Sequence, residues 1–304
     1  MAEEILLPED VRKWLRGIFA VCNQDVASKI SRVPTVHETS LDLTFIERLS
    51  RFAAPTRFDS EWIVRVDTHY LGGGRHFGQW EVADVGFLVI FRRRGTVVRT
   101  KVALLQSKRL YPDEQDFSED EAIDYMIGFG RLMRQNESYL QVVEPRRFTF
   151  TGASRYKAFR VGDRQFESIR QYEEQFGIPV HYLFYHPLAL PYQQVVPVMA
   201  STDTLQECEA GCRVIAARLV HETLGKFDEG YSPSFDDVRL IPAEATSGGK
   251  WPGWRLEDFV VDRVMDCHEG YIAVEENDRG LFRVFNRRSG PIAAAVAITF
   301  DAPG

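Results

Sequence analysis

Apolar residues between positions 9 and 30 recur at helical spacing. Val11, Trp14, Leu15, Ile18 and Phe19 fall on one face, which predicts an amphipathic helix. Pro34 breaks it. A second helix is expected in "TVHETSLDLTFIERLSRF", where Thr35 and Glu38 match the T-x-x-E capping-box pattern. Residues 61 to 71 alternate as a strand does, and "GGGRHFGQ" reads as a loop. "WEVADVGFLVIF" and "VVRTKVALLQSKRL" read as two strands joined by the turn "RRRG".

Further along, the acidic loop "PDEQDFSED" precedes a helix, "EAIDYMIGFGRLM". "RQFESIRQYEEQFG" is expected to be helical and to end at Gly177. "IPVHYLFYHP" reads as a strand, and "QQVVPVMAS" as another that Pro197 places near an edge. A long helix is expected over "TLQECEAGCRVIAARLVHETLG", a loop or insertion over 228 to 254, and a helix over "RLEDFVVDRVMDC". Two strand-like runs, "GLFRVFN" and "IAAAVAITF", close the chain.

Interleaved helices and strands define an α/β (α+β) chain with a mixed central sheet flanked by helices. The expected division is a core over 1–200 and an extension over 201–304 packed on the same core. A length of 304 residues fits that arrangement.

Strand alternation brings chemistry into this frame. Asp84 shares a face with Gly86, Leu88 and Ile90; Gln106 and Lys108 share one with Val102 and Leu104. If the two strands form a hairpin, the start of the first neighbours the end of the second. Asp84, Gln106 and Lys108 then meet at one end of the sheet. Glu38 is on the apolar stripe of the second helix with Leu41, Phe45 and Leu49, so its carboxylate is directed inward. Carboxylate and amide oxygens suit Mg²⁺, which takes one or two carboxylates and keeps several waters. A lysine beside them would stabilise charge on a phosphate or act on a water. Glu81 is a second acidic candidate near Asp84. His37 and Gln165 read as exposed or structural.

Charge and cysteines narrow the field. The net charge of −7 excludes a surface coated for nucleic acid, so a polyanion site must be a local basic patch. Candidates are Arg92–Arg94, Arg99 with Lys101, Arg146–Arg147, and Arg155 with Lys157 and Arg160. Such runs matter only if they adjoin Lys108, and the hairpin tip at 92–94 belongs at the far end. Cys22, Cys208, Cys212 and Cys267 form no CxxC pair and suit reduced cytoplasmic thiols. Cys208 and Cys212, four apart on an expected helix, do not by themselves make a zinc site. The acidic N-terminus lacks a signal-peptide pattern, and no apolar run approaches a membrane span.

Together, Glu38, Asp84 and the Gln106-Ser107-Lys108 run resemble the restriction-endonuclease-like superfamily, the PD-(D/E)XK nucleases, in the variant where Q-x-K replaces the acidic form. Ala83 stands where that pattern has proline. The resemblance spans roughly residues 35 to 110. It implies a restriction-endonuclease-like core in which a helix supplies Glu38 and one strand Asp84. The next strand supplies Gln106 and Lys108. It further implies Mg²⁺ (or Mn²⁺) held by Glu38, Asp84 and Gln106, and hydrolysis of phosphodiester bonds, in DNA first and RNA second. The negative charge calls for a protein activator or a homo-oligomer. Freestanding relatives of this kind serve as effectors of bacterial anti-phage defence. A catalytically weak or dead module that binds nucleic acid or a protein partner is the alternative.

Overall fold

The computed structural model describes residues 5–70, 82–113, 146–196, 210–242, 253–266, 268–273, 278–285 and 291–303. Among these, nine strands form one mixed sheet. β1 (Thr56–Arg57), β2 (Ile63–Tyr70), β3 (Ala83–Arg93), β4 (Thr96–Arg109), β6 (Val180–Tyr185), β8 (Arg213–Ala216), β9 (Trp254–Arg255), β10 (Tyr271–Ala273) and β11 (Ile292–Ala302) compose it. The order is β1-β2-β11-β3-β4-β6-β8-β9, with β10 continuing the pairing along β4. β11 runs parallel to β3, and β4 parallel to β6. The other pairs are antiparallel. β5 (Arg146–Phe150) and β7 (Tyr192–Val196) form a separate two-stranded sheet.

The sequence order of the sheet matters for its organisation. β11, at the end of the chain, lies between β2 and β3. Residues beyond 201 therefore supply a central strand as well as β8, β9 and β10.

Helices cover both faces. On one face are α1 (Glu9–Arg32), α2 (Glu38–Ser50) and α6 (Leu256–Asp258), which runs on as the π-helix Phe259–Met265. Phe19 of α1, Phe45 of α2 and Phe87 of β3 pack with ring centroids 5.8–6.3 Å apart. Arg12 bridges Asp262 and Asp266, and Arg16 bridges Asp258 and Asp262, tying α1 to the π-helix. These pairs are partly exposed, so each contributes at most about 1 kcal/mol. On the opposite face are α3 (Arg164–Phe176) and α4 (Ala217–Leu224), joined to β6 through Phe166, His221 and Tyr182. α7 (Arg279–Phe285) covers Gly86 of β3. A Cβ there would meet Ile292 at 3.0 Å and Phe285 at 3.4 Å, so the missing side chain lets α7 and β11 close beside Asp84. α5 (Phe235–Arg239) is capped by Ser234.

Local pattern accounts for most elements. α3 starts at the N-cap Asp163, whose carboxylate accepts the Phe166 amide at 2.8 Å. It ends at Gly177, which is left-handed at φ 64°.

Four expectations change. "RVIA" inside the expected long helix is β8. Arg213, Val214 and Ile215 are buried and pair with β6, and only residues 217–224 are helical. Cys212 thus precedes a strand, and Cys208 lies outside the described residues. "GLFRVF" is helical because Asp278 accepts the amides of Gly280 and Leu281 at its start. The capping box is absent: α2 starts at Glu38 with His37 as N-cap and no side-chain cap. Lys101 is fully buried and donates to the Val264 carbonyl of the π-helix at 2.6 Å, so it cannot track a phosphate backbone. The helix "EAIDYMIGFGRLM", the "GGGRHFGQ" loop, Glu81 and Pro197 lie outside the described residues. Among the described residues no helix is long and apolar enough to cross a membrane.

A buried histidine anchors the end of β6. His186 Nδ1 lies 2.7 Å from the Gly211 carbonyl and must donate to it, so Nε2 accepts from Tyr156 Oη at 2.5 Å. Burial pushes its pKa from 6.5 down to about 3. The unfolded chain therefore binds a proton that the native state excludes. This contribution is fully present above about pH 6.5 and is lost as pH falls toward 3, at up to about 1.4 kcal/mol per pH unit. Urea unfolding at pH 7 and pH 5 should show this loss, and the pH slope should be shallower in His186→Gln.

Candidate functional site

The β3–β4 ladder runs antiparallel from the hairpin tip to Val85 opposite Leu105, then stops. β4 continues four residues further, paired on its other edge with β6 through Arg109 opposite Tyr185. On the open edge every second backbone N–H needs an acceptor. Ser107 N donates to Asp84 Oδ2 at 2.7 Å. Arg109 N donates to Glu38 Oε2 at 2.8 Å. Tyr111 N donates to the Arg155 carbonyl at 3.0 Å, and Asp113 N to the Thr149 carbonyl at 2.7 Å. Two carboxylates thus take the place of a strand where β3 has turned away.

This end of the hairpin gathers the residues singled out by sequence. Gly86 pairs with Leu104, and the same register brings Asp84 and Gln106 together on one face. Gln106 Nε2 donates to Asp84 Oδ2. Lys108 Nζ lies 3.6 Å from Glu38 Oε1, with its side chain only 4% exposed. Glu38 and Asp84 are half-buried and keep some contact with solvent. Arg109 is buried, donates to the Pro34 carbonyl and lies 4.3 Å above the Tyr111 ring, which fixes the strand end against the turn before α2. Gln165 is half-buried in the first turn of α3 and has no bond to this cluster, and His37 is exposed. Arg92–Arg94 occupy the far end of the hairpin.

A third carboxylate lies behind the cluster. Asp42 of α2 is buried and accepts Ser107 Oγ at 2.6 Å and Tyr185 Oη at 2.7 Å on the same oxygen. Sequence reading passes over it. Its signal is an acidic residue one turn after Glu38 on the apolar stripe, beside Leu41 and Phe45. Ser107 therefore ties three elements together: its N–H holds β3 through Asp84, and its hydroxyl holds α2 and β6 through Asp42 and Tyr185.

Burial dominates the electrostatics. Desolvation, reinforced by the charge of Glu38, pushes Asp42 from 3.8 up to about 7. Desolvation raises Asp84 well above the usual carboxylate range, with Asp42 and Glu38 adding to it and Lys108 opposing it. Lys108 opposes the upward shift of both Asp42 and Asp84, while Glu38 adds to it.

The donor set is consistent with a hard cation. The Gln106 amide oxygen is buried and has no hydrogen-bond partner among the described residues, and it belongs to the residue bonded to Asp84. Carboxylate and amide oxygens are ligands that Mg²⁺ accepts, and turning the Gln106 amide over would bring its oxygen, in place of Nε2, to Asp84. Among the described residues no group of three or more His, Cys, Asp or Glu side chains is arranged to hold a metal. Cys22 and Cys212 are buried, and burial raises both thiols, which excludes them as ready thiolate ligands.

Comparisons of the chain with protein-family models, with curated proteins and with solved structures find no match.

The Asp42 network makes a stability prediction. Asp42→Asn retains an oxygen acceptor for Ser107 and Tyr185 and should cost under ~1 kcal/mol. Asp42→Ala leaves two buried hydroxyls without that acceptor and should cost about 2–4 kcal/mol. Urea denaturation of both variants at pH 7 checks the difference.

Proposed function

We propose that the protein is a metal-dependent nuclease with a restriction-endonuclease-like core of the Q-x-K kind, hydrolysing phosphodiester bonds in DNA. One observation carries this reading: Glu38, Asp84, Gln106 and Lys108 converge where two central strands diverge. The helix–strand–strand origin of these side chains also matches what the sequence resemblance implies.

In this reading Asp84, Glu38 and the Gln106 amide oxygen hold Mg²⁺ or Mn²⁺. Bound there, the ion would neutralise phosphate charge and make a water acidic enough to attack at neutral pH. The chain's own contribution is positioning. Lys108 presents a nearly desolvated ammonium to a non-bridging phosphate oxygen or to the attacking water, and Glu38, 3.6 Å away, holds that ammonium in position. Ser107 fixes the backbone on which Gln106 and Lys108 are carried, because its N–H and hydroxyl are both bonded to other elements.

A second reading has its own support. Asp84 and Glu38 each accept a main-chain amide of β4, so both have a structural role without a metal. A module of the same core that binds nucleic acid or a protein partner without cutting is compatible with that use.

The variants Asp84→Asn and Lys108→Ala separate the two. Asp84→Asn keeps a side-chain oxygen for the Ser107 amide and loses only the charge, so the fold should persist. Wild-type protein and both variants are incubated with supercoiled plasmid, linear duplex, single-stranded DNA and RNA in Mg²⁺, Mn²⁺ or EDTA. The nuclease reading expects metal-dependent cutting of DNA that falls ~100-fold or more in each variant. Cutting confined to RNA would make it a ribonuclease. Absence of cutting together with absence of Asp84-dependent Mn²⁺ binding would favour the module.

A further inference from the structure

We infer that the exposed segment carrying Arg155 and Lys157 is a docking surface for the phosphate backbone of a nucleic-acid strand lying across the candidate site. The inference rests on the nuclease reading for the identity of the strand, and on the following geometry for its path.

Continuity along β4 is the first part. The open edge that presents Ser107 N to Asp84 and Arg109 N to Glu38 presents Tyr111 N to the Arg155 carbonyl. Residue 155 is therefore the next acceptor along that edge after the two site carboxylates. From Lys108 to Tyr111 is three residues of extended chain, roughly 10 Å. At a rise of ~3.4 Å per nucleotide, that is about two to three nucleotides from the bond being cut.

Preorganisation is the second part. Arg155 donates through Nη1 to the Ser232 carbonyl at 2.6 Å, and its guanidinium lies 5.1 Å from the Tyr231 ring centroid. Its residue is exposed, and its charge reaches Asp237, a carboxylate already engaged by Ser234 and Tyr231. Lys157 is exposed as well, with its ammonium 5.9 Å from the Tyr111 ring. Two cations are thus steadied by ring faces where the chain continuing β4 leads away from the site. Exposed, pre-positioned Arg and Lys side chains are how proteins contact a phosphate backbone without reading its sequence. The pair is also a local basic feature on a chain whose net charge is −7, so affinity must be concentrated in few contacts.

Two of the other basic stretches fail one of these conditions. Lys101 is buried beneath the π-helix. Arg92–Arg94 lie at the opposite end of the hairpin.

The test measures binding without cutting. Fluorescence anisotropy of labelled single-stranded DNA, duplex DNA and RNA is recorded with the full chain in EDTA, at several salt concentrations. Arg155→Gln/Lys157→Gln should weaken binding to the preferred oligonucleotide at least ~10-fold at moderate salt. It should also reduce the slope of log K against log salt by about 1.4 to 1.8, the value for two lost phosphate contacts. Arg94→Gln, at the far end of the hairpin, should bind within about twofold of wild type. Arg155→Lys/Lys157→Arg keeps both charges and should retain most of the affinity, which separates lost charge from lost folding. Wild-type protein that binds none of the oligonucleotides at low salt would overturn the inference, as would a double Gln variant with unchanged affinity and slope. Cutting that depends on Asp84 and Lys108 combined with binding indifferent to Arg155 and Lys157 would leave the nuclease reading intact and remove this surface. Binding that depends on the pair in a protein that cuts nothing would do the reverse.

Discussion

The structure turns on the divergence of β3 and β4 beyond Val85 and Leu105. A central strand cannot leave its amides unpaired in the interior, because each buried N–H without a partner costs about 1–3 kcal/mol. Here β4 keeps β6 on one edge and loses β3 on the other. The vacated amides of Ser107 and Arg109 are accepted by Asp84 and Glu38. Requirements of the backbone thus place two carboxylates side by side at the end of a hydrophobic sheet, with Gln106 and Lys108 beside them.

That arrangement has an electrostatic consequence. Asp42, Asp84 and Glu38 crowd a region from which much of the water has been removed, and Lys108 is the ammonium among them. Hydrogen bonds from Ser107 and Tyr185 compensate Asp42. Asp84 is compensated by the Ser107 amide and the Gln106 side chain, at the expense of leaving the Gln106 oxygen unpartnered among the described residues. The cluster is therefore held by its own hydrogen bonds as folded, with one buried amide oxygen left unused among the described residues. Phe19, Phe45 and Phe87 lock α1 and α2 onto the sheet, and α7 closes over Gly86 on the other side. Precision at the site comes from these helices, since α2 supplies both Glu38 and Asp42.

Much of this is legible in the chain. Period-two alternation predicts β3 and β4, and their shared faces bring Asp84 to Gln106 and Lys108. The helical stripe of α2 places Glu38 inward. Each inference rests on local periodicity, which survives folding wherever one face of an element is buried. Where local pattern fails, a neighbour decides. "RVIA" is apolar enough for either state and is a strand because β6 offers it an edge. "GLFRVF" is a helix because Asp278 caps it.

By itself, then, the sequence determined most of the elements, the class of mixed α/β sheet and the residues able to do chemistry. Only the tertiary structure decided that β11 would lie between β2 and β3, that Glu38 would reach a β4 amide instead of capping its own helix, and that Asp42 would pair with Ser107 and Tyr185. The physical reason is the same in each case. Hydrogen-bond acceptors for a strand's open edge come from residues tens to hundreds of positions away, and their arrival depends on how the layers pack, which no local pattern encodes.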